Sequence, residues 1–498
     1  MSDSAIDTGA TQGHLTGYRS KGYRTYVLLV LTLVYTLNFI DRNLMGVLAQ
    51  PIIESFNLSD SQFGLLAGWP FAIFYAVMGL PIAMAADRFN RVQIISVCIV
   101  LWSIMTALCG LAAGFFTLLM FRIGVAVGEA GCTPPANSII GDYYPAKHRA
   151  TALGIYGMGV TLGGVLANLF AGPLQVMEGA SFGNWLNSIG IGWLFSGIDW
   201  ANTEGWRIAF VVIGLPGVFI ALLLMMTVKE PPRGYSDPPD ATKLQKSSIV
   251  ETLKELSGKP SFWWMATGAS LVAFVGYGLF TFQIPFLIRE HGLTGQQAAV
   301  NYGAPWAAIA AVGTFMGGFL TDKLTQRSFT AVAWVPAIGL ILAVPFYVAA
   351  LFSPNLTMVF ILFSIGAMLH YAYLGSQFNI GQSVVSARSR ASAIAILLII
   401  VSIIGNGIGP QFVGIVSDIF ARGDLASLNV EGATFKTCNS GGELADAIQT
   451  ACSDAKASGL TKALATSTLW FFVAAFCYFM AARTLRRDYV ADIAAEKS

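Results

Sequence analysis

Four formal charges fall inside long apolar stretches of the sequence: Asp41, Arg42, Arg122 and Glu129. At the centre of a membrane-spanning helix each costs about 2.5–3.5 kcal/mol, so such residues face one another or a polar cavity and mark function. A guanidinium stays charged and its fork matches carboxylate or phosphate, which makes Arg42 and Arg122 the candidate ligands for an anionic head group. A carboxylate in a poorly hydrated cavity is driven toward its protonated form by desolvation and held ionised by a nearby arginine. Asp41 and Glu129 are therefore candidate proton carriers. Arg122 and Glu129 are seven residues apart, two helical turns and about 10 Å along one face, whereas the adjacent Asp41 and Arg42 point about 100° apart. The competing expectation for all four is a static ion-pair network that ties two helices together.

Other candidates are polar or aromatic residues at helical spacing. His370, Tyr373 and Gln377, three and four apart, share one predicted face, and Tyr277 and Phe280 with Gln283 form a similar patch. Both are candidates for contact with cargo, against the plainer expectation of helix packing. Asp87 and Arg88, and Asp322 and Lys323, stand at predicted helix ends, with Arg149 and Arg390 as possible partners. Ion pairs made and broken there would act as gates, and a permanent tie is the alternative. Cys438 and Cys452 lie in a polar stretch expected outside the membrane, where a disulfide or two reduced thiols are both open. The sequence lacks a Gly-Lys-Ser phosphate loop, a His-Glu-x-x-His pair and a Cys-x-x-Cys pair. No cofactor, metal centre or enzymatic activity is expected. A formal net charge of only +2 gives no case for nucleic acid.

The elements that must position these residues are helices in a bilayer. The 498-residue chain is 55% hydrophobic and only 11% charged, where a soluble domain has about 25% charged residues. Apolar stretches near 24–49, 60–84, 91–113, 115–140, 149–174, 206–228, 262–288, 295–320, 329–352, 355–384, 390–418 and 462–484 have about the length needed to cross a bilayer as helices. The organisation expected is a tail over 1–23, a six-helix bundle over 24–228, a linker with an amphipathic helix over 229–261, a second bundle over 262–486 that includes a loop at 421–461, and a tail over 487–498. Basic residues at Arg19, Lys21, Arg24, Arg88, Arg91, Lys147, Arg149, Lys323, Arg327, Arg388, Arg390, Arg483, Arg486 and Arg487 flank one side. That side, with both termini, is assigned to the cytoplasm. Trp185, Trp193 and Trp200 between the fifth and sixth spans suggest an interfacial segment on the other side.

An internal repeat orders these spans. Leu58–Asp87 aligns without gaps on Leu293–Asp322, so that Gln62 meets Gln297, Gly68 meets Gly303, Pro70 meets Pro305 and Asp87 meets Asp322. Apolar composition alone would not match Gln, Pro and Asp. Equivalent six-span halves starting on the same side are parallel repeats, with a central cavity expected between them.

The stretch Ala83, Met84, Ala85, Ala86, Asp87, Arg88, Phe89, Asn90, Arg91 resembles the loop signature of the major facilitator superfamily, with Ala83 and Asn90 where glycines are usual, and Gly318 with Asp322, Lys323 and Arg327 forms a second copy. More narrowly the chain is similar to Spinster-like transporters, through Asn38 to Arg42, Arg122 with Gly128, Glu129 and Ala130, Lys229 to Gly234, and Gly409, Pro410, Gly414, Ser417 and Asp418. The resemblance implies an all-α major facilitator fold of twelve transmembrane helices in two pseudo-symmetric bundles. It also implies a bacterial inner-membrane protein that carries an anionic lipid of the lysophospholipid or sphingosine 1-phosphate kind, coupled to protons. The alternatives are a small-organic-anion/proton symporter and an uncoupled scramblase or sensor. Membrane lipids are the only other partners expected, and the chain is expected to be a monomer.

Overall fold

The computed structural model describes residues 16–236, 248–428, 430–442 and 444–490. Residues 1–15 and 491–498 of the expected tails and residues 237–247 of the linker lie outside them. Twelve helices are long and apolar enough to cross a membrane, and among the described residues no strand occurs. In chain order the helices are α1 (Lys21–Val47), α2 (Asp60–Arg88), α3 (Arg91–Cys109), α4 (Phe115–Tyr143), α5 (Lys147–Leu174), the short α6 (Gly179–Ser188) and α7 (Gly205–Thr227). There follow the short α8 (Ile249–Ser257), then α9 (Pro260–His291), α10 (Gly295–Thr325), α11 (Ala331–Leu351), α12 (Leu356–Ser383), α13 (Arg390–Leu428) and α14 (Asp446–Asp488). Phe116, Phe219, Met226 and Phe315 are each more than 70% exposed. Side chains of that size turned outward along spans suit hydrocarbon rather than water.

The chain forms two compact units. One holds residues up to Leu44 and from Ile73 to residue 236; the other holds Met45–Ala72 and the residues from 248 onward. The end of α1, the α1–α2 turn and the first part of α2 thus group with the second unit. Glycines make that association possible. A Cβ on Gly68 would strike the Gly407 carbonyl, and one on Gly414 would strike that of Asp60, so α2 and α13 approach backbone to backbone.

The repeat has a structural cause. Ser59 and Gln62 form a capping box at the start of α2, with the Ser59 N–H donating to Gln62 Oε1 at 2.9 Å and the Gln62 N–H to Ser59 Oγ at 3.3 Å. Thr294 and Gln297 do the same at the start of α10, at 3.1 and 3.2 Å. Each box satisfies helix-end donors that have no partner within the helix. Gly68 then interrupts α2, and its counterpart Gly303 closes a π-helical turn, Ala299–Gly303, in α10. Pro70 and Pro305 follow where the α-helix resumes, so the repeat encodes a matched cap and a matched irregularity.

The expected loop at 421–461 is mostly helical. α13 runs to Leu428 and α14 starts at Asp446. Hydropathy locates only apolar stretches, whereas Ala447, Ala451, Ala455 and Ala457 favour helix regardless of polarity. Ala451 and Ala455 pack on Leu425, with Val430, Ala433 and Phe435 against the cluster.

Candidate functional site

In the first unit, α1 and α4 bring the buried charges together. Arg42 donates from Nε and Nη2 to Glu129 Oε2, at 3.1 and 2.9 Å, with Glu129 fully buried and Arg42 15% exposed. The guanidinium also faces the rings of Phe39 and Tyr75, 4.9 and 4.8 Å from their centroids. Two aromatic faces favour a partly desolvated cation. Asp41 turns the other way and accepts a hydrogen bond from Thr106 Oγ1 on α3 at 3.2 Å. Arg122 is 2% exposed and lies in the field of both carboxylates. Tyr35 stacks on Tyr156 with ring centroids 4.3 Å apart, and Tyr156 Oη lies 3.9 Å from Cys132 Sγ. Two carboxylates and two guanidiniums thus share one dry region, where adding a proton to either acid leaves a cation in surplus.

The remaining candidates of this unit are at its basic end. Asp87 and Arg88 are exposed and, among the described residues, enter no ion pair, while Arg149 donates to the Ser236 carbonyl at 3.3 Å. The buried cation there is Arg91, 1% exposed. Its Nε donates to Glu230 at 2.6 Å, its Nη2 to the Pro231 carbonyl at 2.9 Å and its Nη1 to Asp142. Asp142 in turn accepts from the Gly234 N–H at 2.8 Å, and Arg233 donates to the carbonyls of Ala86 and Phe89 at 2.8 and 2.9 Å. The residues after α7 are thereby tied to α3 and α4. Sequence reading missed this network because Arg91, Asp142 and Glu230 stand at span ends, where charge is unremarked.

In the second unit, His370 and Phe280 line a small cleft with Gln283, Trp306, Tyr347 and Phe363. Tyr347 Oη lies 3.2 Å from His370 Nδ1, and Trp306 stacks on Phe363 at 4.1 Å. Tyr373 and Gln377 are buried, at 6% and 2% exposure, but do not line that cleft, and neither does Tyr277. The single face expected for His370, Tyr373 and Gln377 assumed an unbroken helix. The α-helix is interrupted only at Tyr371 and Ala372, whose backbones stay right-handed helical, and the Tyr373 ring still stacks on His370 with centroids 6.1 Å apart. Asp322 and Lys323 are exposed and form no ion pair among the described residues.

An ion pair of this unit that the sequence did not reveal joins α9 to the start of α2. Arg289 donates from Nη1 and Nη2 to the two oxygens of Asp60, both at 2.9 Å, and from Nε to Gln50 at 2.8 Å. Ser417 donates to Asp60 Oδ2 at 2.6 Å, and Asp418 accepts the N–H groups of Asp60 and Ser61 at 3.1 Å each. Asp418 thus serves as a cap for α2 supplied from another helix. Nearby, Cys438 and Cys452 are joined as a disulfide, and Lys462 pairs with Asp424 at 2.6 Å.

The linker helix α8 opens with a capping box of Ser248 and Glu251. Leu256 is buried, whereas Ile249 and Leu253 are exposed. Glu255 accepts from the Ser386 N–H at 2.7 Å and the Ser389 hydroxyl at 2.6 Å. Burial alone would push its pKa up, but these donors, the Ser386 hydroxyl and the field of Arg388 hold it below its ordinary value.

Twelve helices apolar and long enough to span a membrane, with a charge cluster buried in one unit, suit a polytopic membrane protein. The family model of the Major Facilitator Superfamily matches residues 31–410, and the chain belongs to that superfamily. It is 54% identical to a bacterial homologue of the human lysosomal transporter Spinster, whose crystal structure is in an inward-facing and unoccupied conformation. The match covers 95% of this chain and 100% of that one, with a TM-score of 0.89. An MFS-type efflux pump of Mycolicibacterium smegmatis is 30% identical over 78% of this chain and 83% of its own length. A hexuronate transporter of Bacillus subtilis is 25% identical over 61% of this chain and 65% of its own. The protein is a major facilitator transporter of Spinster type.

Proposed function

We propose that this protein is a secondary active transporter that moves an amphipathic anionic lipid, of the lysophospholipid or sphingosine 1-phosphate kind, by alternating access coupled to protons. The buried quartet of Asp41, Arg42, Arg122 and Glu129 carries this reading. Protonation of Glu129 weakens its hold on Arg42, and the released guanidinium, with Arg122, takes the head group. Deprotonation re-forms the pair and expels the anion. Asp41 is the second carrier, facing the same Arg122. His370 and Phe280 of the aromatic cleft, with Tyr277, Tyr373 and Gln377, are further candidates for contact with cargo. Asp87 with Arg88 and Arg149, and Asp322 with Lys323 and Arg390, are proposed to act at gates, since the first of each set ends a repeat-related helix. The basic end of the spans faces the cytoplasm of a bacterial inner membrane.

The second reading is a proton-coupled carrier of a small organic anion, favoured by the likeness to the hexuronate transporter. A binding panel of lysophosphatidate, sphingosine 1-phosphate and glucuronate on the purified protein separates the two. The lipid reading expects tight binding of the two lipids that Arg122→Ala abolishes. Tight binding of glucuronate alone would overturn it.

A further inference from the structure

Buried hydroxyls on the helices of the first unit have a default use: they donate back to a carbonyl four residues earlier in their own helix. Thr32 donates to Leu28 at 2.8 Å, Thr36 to Thr32 at 2.8 Å and Ser96 to Val92 at 2.9 Å. Thr106, only 1% exposed, departs from this pattern and crosses from α3 to α1 to reach Asp41 Oδ2. Asp41 is 3% exposed. The other titratable or charged groups around it are Arg122 and Glu129 from α4 and Cys109 from α3, while its neighbour Arg42 is turned to Glu129.

A buried carboxyl that changes protonation must be paired in both states, because an unpaired buried polar group is costly. A carboxylate only accepts, whereas a carboxylic acid also donates. A threonine hydroxyl meets both demands. It donates to the ionised acid; when the acid is protonated, the hydroxyl oxygen can accept that proton's hydrogen bond, with its own hydrogen returned to the carbonyl four residues back that helical threonines ordinarily use.

We propose that Thr106 is the positioning residue for proton exchange at Asp41, keeping that carboxyl hydrogen-bonded in both protonation states through one rotation of its hydroxyl. The inference rests on proton carriage by Asp41 as proposed above. Thr106 does not itself gain or lose a proton, so the exchange remains a transfer between Asp41 and the proton pathway.

The test is uptake of radiolabelled lysophosphatidate by proteoliposomes across a pH series, for wild type, Thr106→Val, Thr106→Ser and Asp41→Asn, with thermal unfolding of each. Valine keeps the shape and loses the hydroxyl. Since ionised Asp41 then lacks a donor, the midpoint of the pH profile is expected to move alkaline by about one to two pH units. Thr106→Ser is expected to keep the wild-type profile. Should the valine variant fail to fold, Thr106→Ala against Thr106→Ser makes the same comparison. An unshifted midpoint in the variants lacking the hydroxyl, beside an Asp41→Asn that has lost pH dependence, overturns the role of Thr106 and leaves proton carriage standing. Uptake by wild type that ignores pH overturns both.

Discussion

Asp60→Asn should free the start of α2 from the rest of the second unit. The exchange keeps the shape of the side chain and removes its charge. It leaves Arg289, whose side chain is 7% exposed, facing a neutral amide in place of two charge-assisted bonds of 2.9 Å. Gln50 remains as its uncharged partner. Breaking one side of a buried pair costs about 3–5 kcal/mol, which at 1.4 kcal/mol per decade raises the population of the detached segment by about a hundredfold to a few thousandfold. The N–H groups of Asp60 and Ser61, which donate to Asp418, report that opening directly. Hydrogen exchange of a peptide spanning Ser59–Leu66 should accelerate by that factor, up to the limit set by global unfolding. Restoring opposite charges by Asp60→Arg with Arg289→Asp should recover part of the protection. An Asp60→Asn protein whose peptide exchanges at the wild-type rate would refute the energetic role given to the pair.

Arg91→Ala leaves Asp142 buried without its cation, so the melting temperature should fall by the equivalent of about 3–5 kcal/mol. The exposed Asp87→Asn, with no ion pair to lose among the described residues, should cost about 0–1 kcal/mol. Arg91→Lys keeps the charge but not the fork and should fall between them. Glu255 has a folded pKa below its ordinary value, so its tie to Ser386 and Ser389 is fully present above the ordinary carboxylate range and lost as pH falls through the lowered pKa. At neutral pH, Glu255→Gln should therefore expose α8 to protease as strong acidification does in wild type, and equal resistance in both would contradict this. Reduction of Cys438–Cys452, which close a 14-residue separation, should release about 3 kcal/mol of constraint and speed cleavage within 430–442. Cysteine-to-serine exchange at both positions should mimic it.

Legibility in the sequence followed physical range. The spans were visible because a bilayer demands long apolar stretches, and Gln62 with Gln297 marked the repeat because a cap is a local device. The quartet was visible because charge in hydrocarbon is rare, and two turns of spacing already kept Arg122 from bonding Glu129 directly; that Arg42 is the residue reaching Glu129 from α1 depends on helix rotation, which spacing does not set. Arg289 and Asp60 are 229 residues apart at helix ends where charge is ordinary, so nothing in the sequence joins them. Tyr373 keeps its expected place beside His370, whereas which of these residues lines the cleft depends on helix packing, which spacing does not set. Thr106 looks like any helical threonine until Asp41 is seen opposite it.

The measurement that bears most directly on proton coupling through the quartet is accumulation of lysophosphatidate in proteoliposomes under an imposed pH gradient. Wild type should accumulate the lipid in proportion to the gradient, and the charge-neutral Asp41→Asn and Glu129→Gln should each lose that dependence while still binding it. Full gradient-driven accumulation by both variants would contradict the account.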